Sequence, residues 1–408
     1  MAAFTLSLAD NILKVRYLGP VREQLNNKKV LWARIDRDEE SVSGKNATVP
    51  VHYKRNNQAG SGRADNGTLP TADTQDYKQA IVPMKYIYSR ITVTGPTIAA
   101  TRDNLGAFVR ALDSEIRGCV RDMGRAANRQ INSDGRDALA FWTAADDTSG
   151  TNVDDNQGNA FVHLGNSTTT CDLIDASDHS TVLGDSIVVT LGAEGASSYA
   201  VTWTGTVSGS ADTDYLTLED TIGKQMMGIG GIIDDGNPPT LSGGLHGLAV
   251  ATNAWWSAAV FGNSGTKRDL TLALMQKPLT KIGVTSDFDE SDVKFLLGNA
   301  YIRDKYEQLL IADRRYVNKM ELDGGFMGLE YSGRPFVVDS QTKRNSIFYV
   351  TPESMKIYRM SDWDWMDRDG AVLHRVADKD AYEATMFGYH DLGVSHRNAN
   401  GKLEDITD

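Results

Sequence analysis

Apolar residues recur at steps of three and four along one stretch of the chain, which predicts a long amphipathic helix over Asp103 to Ile131. The apolar face of this helix consists of Leu105, Phe108, Leu112, Ile116, Cys119, Val120, Met123, Ala127 and Ile131. At 1.5 Å per residue the helix would be roughly 43 Å long. Asp103 is placed to favour its positive end, and Ser133-Asp134-Gly135 supplies a stop signal. Both ends of the helix are therefore marked in the sequence.

The segment before the helix is poor in apolar residues. Between Asp36 and Ala80, six large apolar residues stand against thirteen charged ones, which is too few for a local core. Both ends of the segment alternate in the manner of strands, at Val49, Val51 and Tyr53 and again from Ile81 to Val93. Between these ends lies a polar, glycine-bearing stretch, residues 55–63, that suits a mobile tip. The pattern predicts a long, projecting two-stranded loop.

A two-stranded ribbon is marginal alone in water because it has no second layer to cover its apolar side. We therefore expect that roughly the first hundred residues cannot bury themselves within their own chain, and that neighbouring copies order the loop. The alternative is a disordered surface loop on an ordinary monomer. The length of the flanking strands argues against that alternative.

Length and composition describe a globular chain. With 408 residues and 40% hydrophobic content, the sequence can form two or three domains with proper cores. No run approaches eighteen apolar residues, and the N-terminus lacks a basic region followed by an apolar one. We expect a protein made in the cytosol, without membrane contact and not exported by the usual route. Cys119 and Cys171 fit neither a disulfide framework nor a metal pattern, so buried free thiols are predicted.

The net charge of -12 is concentrated in one segment. Residues 137–223 contain no Lys or Arg but fourteen Asp or Glu and twenty-three Ser or Thr. Strand-like stretches at 186–191, 199–204 and 215–218 are separated by glycine turns and predict a β-rich insertion over 137–237. Its acidic surface can solvate the domain, repel nucleic acid or bind divalent cations, and solvation is the favoured interpretation.

The remaining chain has an ordinary composition that begins after Pro238-Pro239. Helical periodicity is found at 266–276 and 291–312, although 293–297 also fits a buried strand before a shorter helix. Strands are predicted at 336–339, 346–350 and 355–359. The result is an α+β order without a βαβ series for a nucleotide-binding parallel sheet.

The sequence contains no catalytic, cofactor-binding or metal-binding motif. Its seven histidines are scattered without an HExxH pattern, and neither a nucleophile elbow nor a phosphate loop is found. The glycine-rich run 227–233 lacks the GxGxxG spacing and is interpreted as a tight backbone turn. An EF-hand alignment of 362–370 fails because Trp365 would occupy loop position one, so its aromatic residues are expected to pack while its acids face water.

Basic side chains are the remaining candidates for contacts with other molecules. Arginines at 110, 117, 121, 125 and 129 give the long helix a basic stripe with interleaved acids, for which intersubunit or solvated pairing is commoner than phosphate binding. The residues predicted to take part in an assembly interface are Lys54, Arg55, Arg63, Arg110, Arg117, Arg121 and Arg125.

The last third of the chain resembles the major capsid proteins of tailed bacteriophages with the HK97-like fold. The segments that carry this resemblance are 292–306, 324–339, 346–357, 380–384 and 396–403. The match is one of order and pattern, and it covers about a third of the chain closely and the rest by layout. The matching segments contain no catalytic signature.

The resemblance implies a domain order that agrees with the predicted elements. The expected regions are an N-terminal arm (1–38), an extended E-loop (39–93), a P-domain spine helix region (94–136), the β-rich insertion (137–237), an A-domain (238–345) and C-terminal P-domain strands (346–408). The insertion would then be specific to this lineage.

The resemblance also implies a function in assembly and no enzymatic activity. The expected partners are further copies of the chain, in hexamers and pentamers that form an icosahedral shell around double-stranded DNA, which is contacted only by non-specific proximity. A separate scaffolding protein, a portal and a decoration protein are further expected partners, and the expected location is the virion, assembled in the host cytoplasm. Because Met1 leads almost directly into arm-like sequence, either scaffolding is a separate protein or the chain is numbered after cleavage.

Two other interpretations remain open from the residues. One is a different self-assembling virion component, such as a tail-tube or decoration protein, although a tail tube would not need a helix of this length. The other is a hydrolase whose site depends on clustered carboxylates that sequence does not reveal. Some capsid proteins form Lys to Asn crosslinks, but Lys45, Lys54 and Lys78 do not match that motif, so crosslinking is not predicted.

Overall fold

Three sheets, of five, seven and three strands, and one closed barrel organise the described part of the chain. The three-stranded sheet consists of Val42–Ser43, Asn46–Lys54 and Asp76–Pro83. The computed structural model describes residues 29–100, 105–142, 153–154, 168–194, 199–211, 213–312, 320–322, 326–367 and 370–407, without the side chains of 98–114, 142, 153–154, 191–194, 199–202, 311–312, 320–322 and 326–328. Its helices are Val30–Arg34, Gly95–Ala100, Leu105–Asn132, Ile229–Ile232, Leu272–Thr285 and Ala300–Ala312, with single 3-10 turns at Glu290–Asp292, Pro352–Ser354 and Arg397–Ala399.

The long predicted helix is confirmed as Leu105–Asn132. From position 116 onward its predicted apolar face is buried, because Ile116, Cys119, Val120, Met123, Ala127 and Ile131 all belong to the main core. The helix packs on strand Lys85–Thr94, where the Cys119 thiol lies 3.2 Å from the Ser89 hydroxyl. On its other flank, the Trp32 indole N–H donates to the carbonyl of Ala127 at 3.2 Å. Asp103 lies outside the described residues.

A five-stranded sheet supports this helix. Its longest strands are Met355–Trp365 and Ala381–Val394, which are antiparallel and carry a bulge around Ser361. The other members are Asp36–Asp38, Lys85–Thr94 and His374–Arg375. Trp363 and Trp365 are buried while Asp362 and Asp364 remain half-buried, which follows from strand alternation and agrees with the predicted packing of this run.

A seven-stranded sheet forms the second core, with helices Leu272–Thr285 and Ala300–Ala312. Its strands, in spatial order, are Ala259–Phe261, Gly401–Leu403, Ile347–Val350, Phe295–Gly298, Arg334–Val338, Phe326–Tyr331 and Met320–Leu322. Of the two interpretations of 293–312, the buried strand followed by a shorter helix is correct. The helix predicted from position 266 begins later, since the Thr271 side chain caps it by accepting from the Leu274 N–H at 3.2 Å.

The last sixty residues contribute to both sheets. Ile347–Val350 and Gly401–Leu403 pair within the seven-stranded sheet, whereas the two long strands between them pair in the five-stranded sheet. The Asn400 side chain joins the two parts, because its carbonyl oxygen accepts the Thr351 N–H at 2.9 Å and its amide donates to Ser354 at 2.8 Å. Residues 346–408 are therefore the segment that couples the sheets.

The β-rich insertion predicted over 137–237 contains a closed β-barrel, although its closure was not predicted. Its strands are Ala140–Trp142, Val153–Asp154, Thr168–Ile174, Val182–Glu194, Tyr199–Thr204 and Tyr215–Leu218. Two of its carboxylates are buried and hold loops. Asp172 accepts the N–H groups of Ser186 and Asp220 at 3.0 and 2.8 Å, and Asp214 accepts that of Ala176 at 2.8 Å. Cys171 is a free, buried thiol in the barrel interior, and Cys119 is also free and buried.

The projecting loop is an antiparallel hairpin of Asn46–Lys54 and Asp76–Pro83, but its apolar side is covered by its own chain. The residues buried on this side are Ala47, Val49, Val51, Ala80 and Val82, and all of them belong to the main core. The expectation that these residues cannot be buried within their own chain is therefore wrong. The few apolar residues suffice because the buried ones lie on one face of the hairpin, and another surface of the same chain supplies the missing layer.

The alternating run 81–93 is not one strand but two. It breaks at Met84, whose N–H donates to the carbonyl of Lys45 at 3.0 Å, and the following residues pair with Ala381–Val394 instead of the hairpin. The buried parity also changes there, from Val82 and Met84 to Ile87 and Ile91. Met84 therefore marks where the hairpin leaves the body.

The glycine-rich run 227–233 forms a one-turn helix, Ile229–Ile232, against the end of the long helix, which corrects the predicted tight turn. A Cβ at Gly228 would lie 2.4 Å from the carbonyl oxygens of Gln130 and Ser133. Glycine is required at this position because two backbones approach too closely for any side chain.

Candidate assembly surfaces

The hairpin rests on the body through a small set of specific contacts, which we call the seat. The Tyr53 ring stacks on Trp255 with centroids 5.4 Å apart and planes inclined by 19°. The Lys78 ammonium lies 5.1 Å from the Tyr53 ring centroid and donates a hydrogen bond to the Asn253 side chain. Nearer the base, the Ile81 N–H donates to the His246 carbonyl at 2.9 Å. The contacts change from apolar at the base to polar and aromatic further out.

The three predicted interface residues of the hairpin lie near its tip. Lys54 pairs with Asp73 at 3.2 Å and with Asp76 at 3.5 Å, so its charge is used within the hairpin. Arg55 reaches the body and forms an ion pair with Asp287. Arg63 is exposed and donates only weakly to the neighbouring carbonyl of Gly62, at 3.3 Å. Of the three, Arg63 is the most available to another molecule.

The predicted arginines of the long helix divide into exposed and buried members. Arg117, Arg121 and Arg125 lie on the exposed face, and Arg125 forms a long ion pair with Asp122 at 3.8 Å. The side chain of Arg110 lies outside the described residues. Arg129 does not belong to the exposed stripe, because its side chain is only 7% exposed. The hairpin residues and the helix residues occupy two separate elements.

Arg129 is the centre of a buried network that sequence reasoning missed. Its guanidinium pairs with Asp137 and donates to the Gln225 side chain at 3.0 Å, while the Thr221 hydroxyl donates to the second oxygen of Asp137. Burial raises the pKa of the Asp137 carboxyl against the opposing effect of Arg129 and Thr221. Asp137 and Gln225 stand where the chain enters and leaves the barrel, so the network ties both junctions to the end of the long helix. One sequence signal existed: Arg129 lies three residues before the helix end and eight before Asp137.

A cavity of about 210 Å³ lies at the seam between the hairpin base and the body. Its lining includes Lys85, Gln225, His246 and Asp391. The Asp391 carboxylate accepts the N–H groups of Met227 and Leu392 at 2.8 and 2.9 Å, and burial raises its pKa to about 7. Burial lowers the pKa of His246, which also lines the cavity, to about 3, and its Nε2 makes no hydrogen bond within the described part of the chain.

Four aromatic residues form a patch on the outer face of the five-stranded sheet. Tyr86 and Tyr88 are 47% and 52% exposed, and both rings contact Tyr389 at centroid distances of 5.1 and 6.0 Å. Phe387 extends the patch, 5.0 Å from Tyr389. Exposed aromatic clusters of this kind are typical of protein interaction surfaces. Strand alternation signalled Tyr86 and Tyr88, but only the pairing with Ala381–Val394 brings the four rings together.

The carboxylates of Asp137, Asp339 and Asp391 are buried, have raised pKa values and lie in different parts of the fold. Each accepts hydrogen bonds from its own set of donors. Asp339 accepts from the Asn128 side chain and the Gln341 N–H, each at 2.9 Å, and burial raises its pKa. Asp137 and Asp391 are held as described above, in different parts of the fold. In the ranges that the structure describes, no three His, Cys, Asp or Glu side chains form a group suited to a metal ion. Over the same ranges, no helix has the length and hydropathy needed to cross a membrane.

No protein-family model and no curated protein sequence matches this chain. Solved structures do resemble it. The capsid asymmetric unit of cyanophage A-1(L) matches with a TM-score of 0.54 and 14% identity, covering 95% of this chain and 93% of that one. The capsid of a native GTA particle matches with a TM-score of 0.48, 10% identity and coverage of 94% and 91%. The SrpI encapsulin of Synechococcus elongatus matches at 0.45, with 8% identity and coverage of 91% and 85%.

The likeness to the cyanophage capsid subunit spans nearly the whole of both chains with a TM-score above 0.5. The chain therefore has the fold of a phage capsid protein. In particular, it is a mixed α+β chain with the HK97-like fold, as the resemblance in its last third implies.

Proposed function

We propose that this protein is the major capsid protein of a tailed bacteriophage. The observation that carries the proposal is the likeness to the cyanophage capsid subunit over 95% of the chain. Subunits of this kind assemble into hexamers and pentamers, and these close into an icosahedral shell around double-stranded DNA. The role is structural and not catalytic, and the place of the protein is the capsid shell of the virion, assembled in the host cytoplasm.

The proposed regions keep the order predicted from the sequence, and the structure gives the bounds of their main elements. The hairpin is the E-loop, the helix Leu105–Asn132 is the spine of the P-domain, and the seven-stranded sheet is the core of the A-domain. The N-terminal arm includes residues 1–28, which lie outside the described residues. The barrel is an insertion fixed to the spine by the Arg129 network.

Two surfaces support contacts between subunits. The aromatic patch around Tyr389 leaves apolar rings in water, and a neighbouring subunit would cover them. The exposed arginines 117, 121 and 125, together with Arg63, supply charge for contacts at the rim of such an interface, where charges favour the rate of association and its specificity. Closure of rings and of the shell multiplies these individually modest contacts. Scaffolding, portal and decoration proteins are proposed as further partners.

Electron microscopy with light scattering on the purified protein tests the proposal. Closed shells or hexameric and pentameric capsomers, formed alone or with a co-expressed scaffolding protein, are the expected result. Monomers that persist under both conditions would contradict it. Digestion of extracted particles with a nuclease then tests the enclosure of DNA, which is expected to survive inside intact shells and to be degraded after the shells are disrupted.

A further inference from the structure

The contacts that hold the hairpin differ between its base and its outer half. At the base, Val82 packs against Gly393 so closely that a Cβ on this glycine would lie 2.7 Å from the valine methyl. In the outer half, the contacts with the body beyond the buried Val51 are one aromatic stack, one ammonium group and one ion pair. The base is apolar and packs closely at Gly393, whereas the hairpin beyond Val51 is polar and exposed.

The outer contacts are individually weak. The side chains of Arg55 and Asp287 are 75% and 56% exposed, and water screens ion pairs at such positions. Tyr53 is itself 37% exposed, although its ring lies between Trp255 and the Lys78 ammonium. Beyond the buried Val51, few apolar atoms would have to enter water for the outer half to separate from the body. The free energy that opposes separation is therefore small there.

The hairpin also has the connections needed to move. Both of its strands join the body near Met84, whose N–H bonds to the carbonyl of Lys45, and strand pairing changes partner at that residue. The preceding turn contains Gly44 with a φ of 64°, a conformation that glycine adopts without strain. The cavity of about 210 Å³ behind the base leaves part of the seam unfilled by side chains. A change of strand partner and an unfilled cavity therefore lie at the same end of the hairpin.

From this arrangement we infer that three contacts of the outer half form a latch that holds the hairpin on its own subunit before assembly. They join Tyr53 to Trp255, Lys78 to Asn253 and Arg55 to Asp287. The inference rests on the proposed capsid function. Opening of the latch precedes the transfer of the outer hairpin to a neighbouring subunit. The latch keeps the outer strands of the hairpin on the body in the free subunit, where their unpaired edges would otherwise promote aggregation. It also sets the rate at which subunits become competent to assemble.

The first test compares two tyrosines of the same hairpin. Tyr53→Ala removes the ring that stacks on Trp255, whereas Tyr77→Ala is the matched control, because Tyr77 is 65% exposed and contacts His52 of the hairpin itself. Hydrogen exchange is measured in the unassembled subunit. We expect amides of Val51 to Lys54 and of Asp76 to Lys78 to exchange roughly tenfold faster in Tyr53→Ala, which corresponds to the loss of one aromatic pair. The same amides in Tyr77→Ala, and those of the long helix in both variants, should keep the wild-type rate.

Assembly kinetics provide the second readout of the same pair. Light scattering should show a shorter lag for Tyr53→Ala than for the wild type and an unchanged lag for Tyr77→Ala. Equal exchange in the two variants, or a lag that Tyr53→Ala does not shorten, would overturn the latch. If the wild-type chain forms no shells, the proposed function fails. The exchange measurement on the free subunit still decides whether the seat holds the hairpin.

A covalent version of the latch tests the order of events. Arg55→Cys and Asp287→Cys together place one thiol on each side of the ion pair, and a short bismaleimide joins them, while Cys119 and Cys171 stay buried. The joined subunits are expected to be excluded from shells, and the same double variant without the reagent is expected to assemble. Joined subunits that enter shells at the rate of unjoined ones would show that the hairpin need not leave its seat.

Discussion

The long helix and the hairpin are both amphipathic elements that alternation in the sequence predicts, but the fold holds them in different ways. The helix is covered along its described apolar face, and its last turn is anchored by a buried ion pair between Arg129 and Asp137. The hairpin is covered at its base by apolar packing and further out by exposed polar contacts around Tyr53 and Arg55. The comparison shows that an amphipathic pattern alone does not determine whether an element is firmly fixed to the body or only weakly held on it. The difference is that the ion pair at the helix end is buried, whereas the ion pair of the outer hairpin is exposed to solvent.

The largest effect is expected at the anchored end of the helix. Arg129→Ala leaves the Asp137 carboxylate buried with only the Thr221 hydroxyl as a side-chain donor, which should lower the free energy of unfolding by about 3–5 kcal/mol. Chemical denaturation of the unassembled subunit measures this loss. Arg125→Ala is the matched control on the exposed face. A loss for Arg129→Ala no greater than that for the control would break the distinction between the anchored helix and the hairpin.

The seam between the two regions should make stability depend on pH. Because burial raises the pKa of Asp391 to about 7, the folded chain retains a proton that the unfolded chain has lost between about pH 4 and pH 7. Stability from this group is therefore fully present at low pH and is lost as pH rises through 7. The variant Asp391→Asn keeps an oxygen acceptor for Met227 and Leu392 but does not titrate.

Relative to the wild type, Asp391→Asn should thus gain stability as the pH rises from 5 to 8.5, by up to about 3 kcal/mol. Denaturant midpoints at the two pH values measure the gain. Asp65→Asn, in the exposed part of the hairpin loop, serves as the control and should not gain stability over this range. A difference between Asp391→Asn and the wild type that stays constant with pH would show that Asp391 is not buried in the folded state.

A change at the hairpin base should loosen the hairpin while sparing the helix. In Gly393→Ala, the new methyl would lie 2.5 Å from the ring of Tyr358 and 2.7 Å from Val82, so one of them must move. The expected loss of stability is about 1–3 kcal/mol. Hydrogen exchange should quicken in the hairpin strands but not in Leu105–Asn132. Gly62→Ala, where an added methyl meets nothing within 4 Å, should leave both regions unchanged.

The smallest effect is expected on the exposed face of the helix. Arg125 forms a long, solvated ion pair with Asp122, so Arg125→Ala should change the free energy of unfolding by about 0.5 kcal/mol or less. Thermal unfolding of the free subunit checks this expectation. Its effect on assembly is a separate measurement, and a slower light-scattering trace without loss of subunit stability would sharpen the assignment of this face to intersubunit contacts.

Sequence pattern was most informative where one physical cause dominated. The spacing of Ile116, Cys119 and Val120 fixed the buried face of the helix, because only a 3.6-residue period places them together. The absence of basic residues and the glycine turns of 137–223 pointed to a separate β unit, which is the barrel. The order of segments in the last third also implied the HK97-like fold. Single elements and their order were thus available from local information.

Contacts between distant segments were not available in this way. Arg129 looked like one more member of a basic stripe, and nothing local indicated that Asp137 would turn back to meet it. The aromatic patch combines Tyr86 and Tyr88 with residues about 300 positions later. Asp391 and His246 come from different parts of the chain and share a cavity only because the hairpin base closes over them.

The sequence by itself determined which face of each element is apolar, where the helix ends and which segment is acidic. These properties follow from the chemistry of neighbouring residues and from the periods of helices and strands. Only the tertiary structure decided what covers those faces. The hairpin shows this most clearly: its alternation predicted one apolar side, yet its own chain supplies the covering surface, because Trp255, His246 and Gly393 are brought beneath it by the packing of the two sheets.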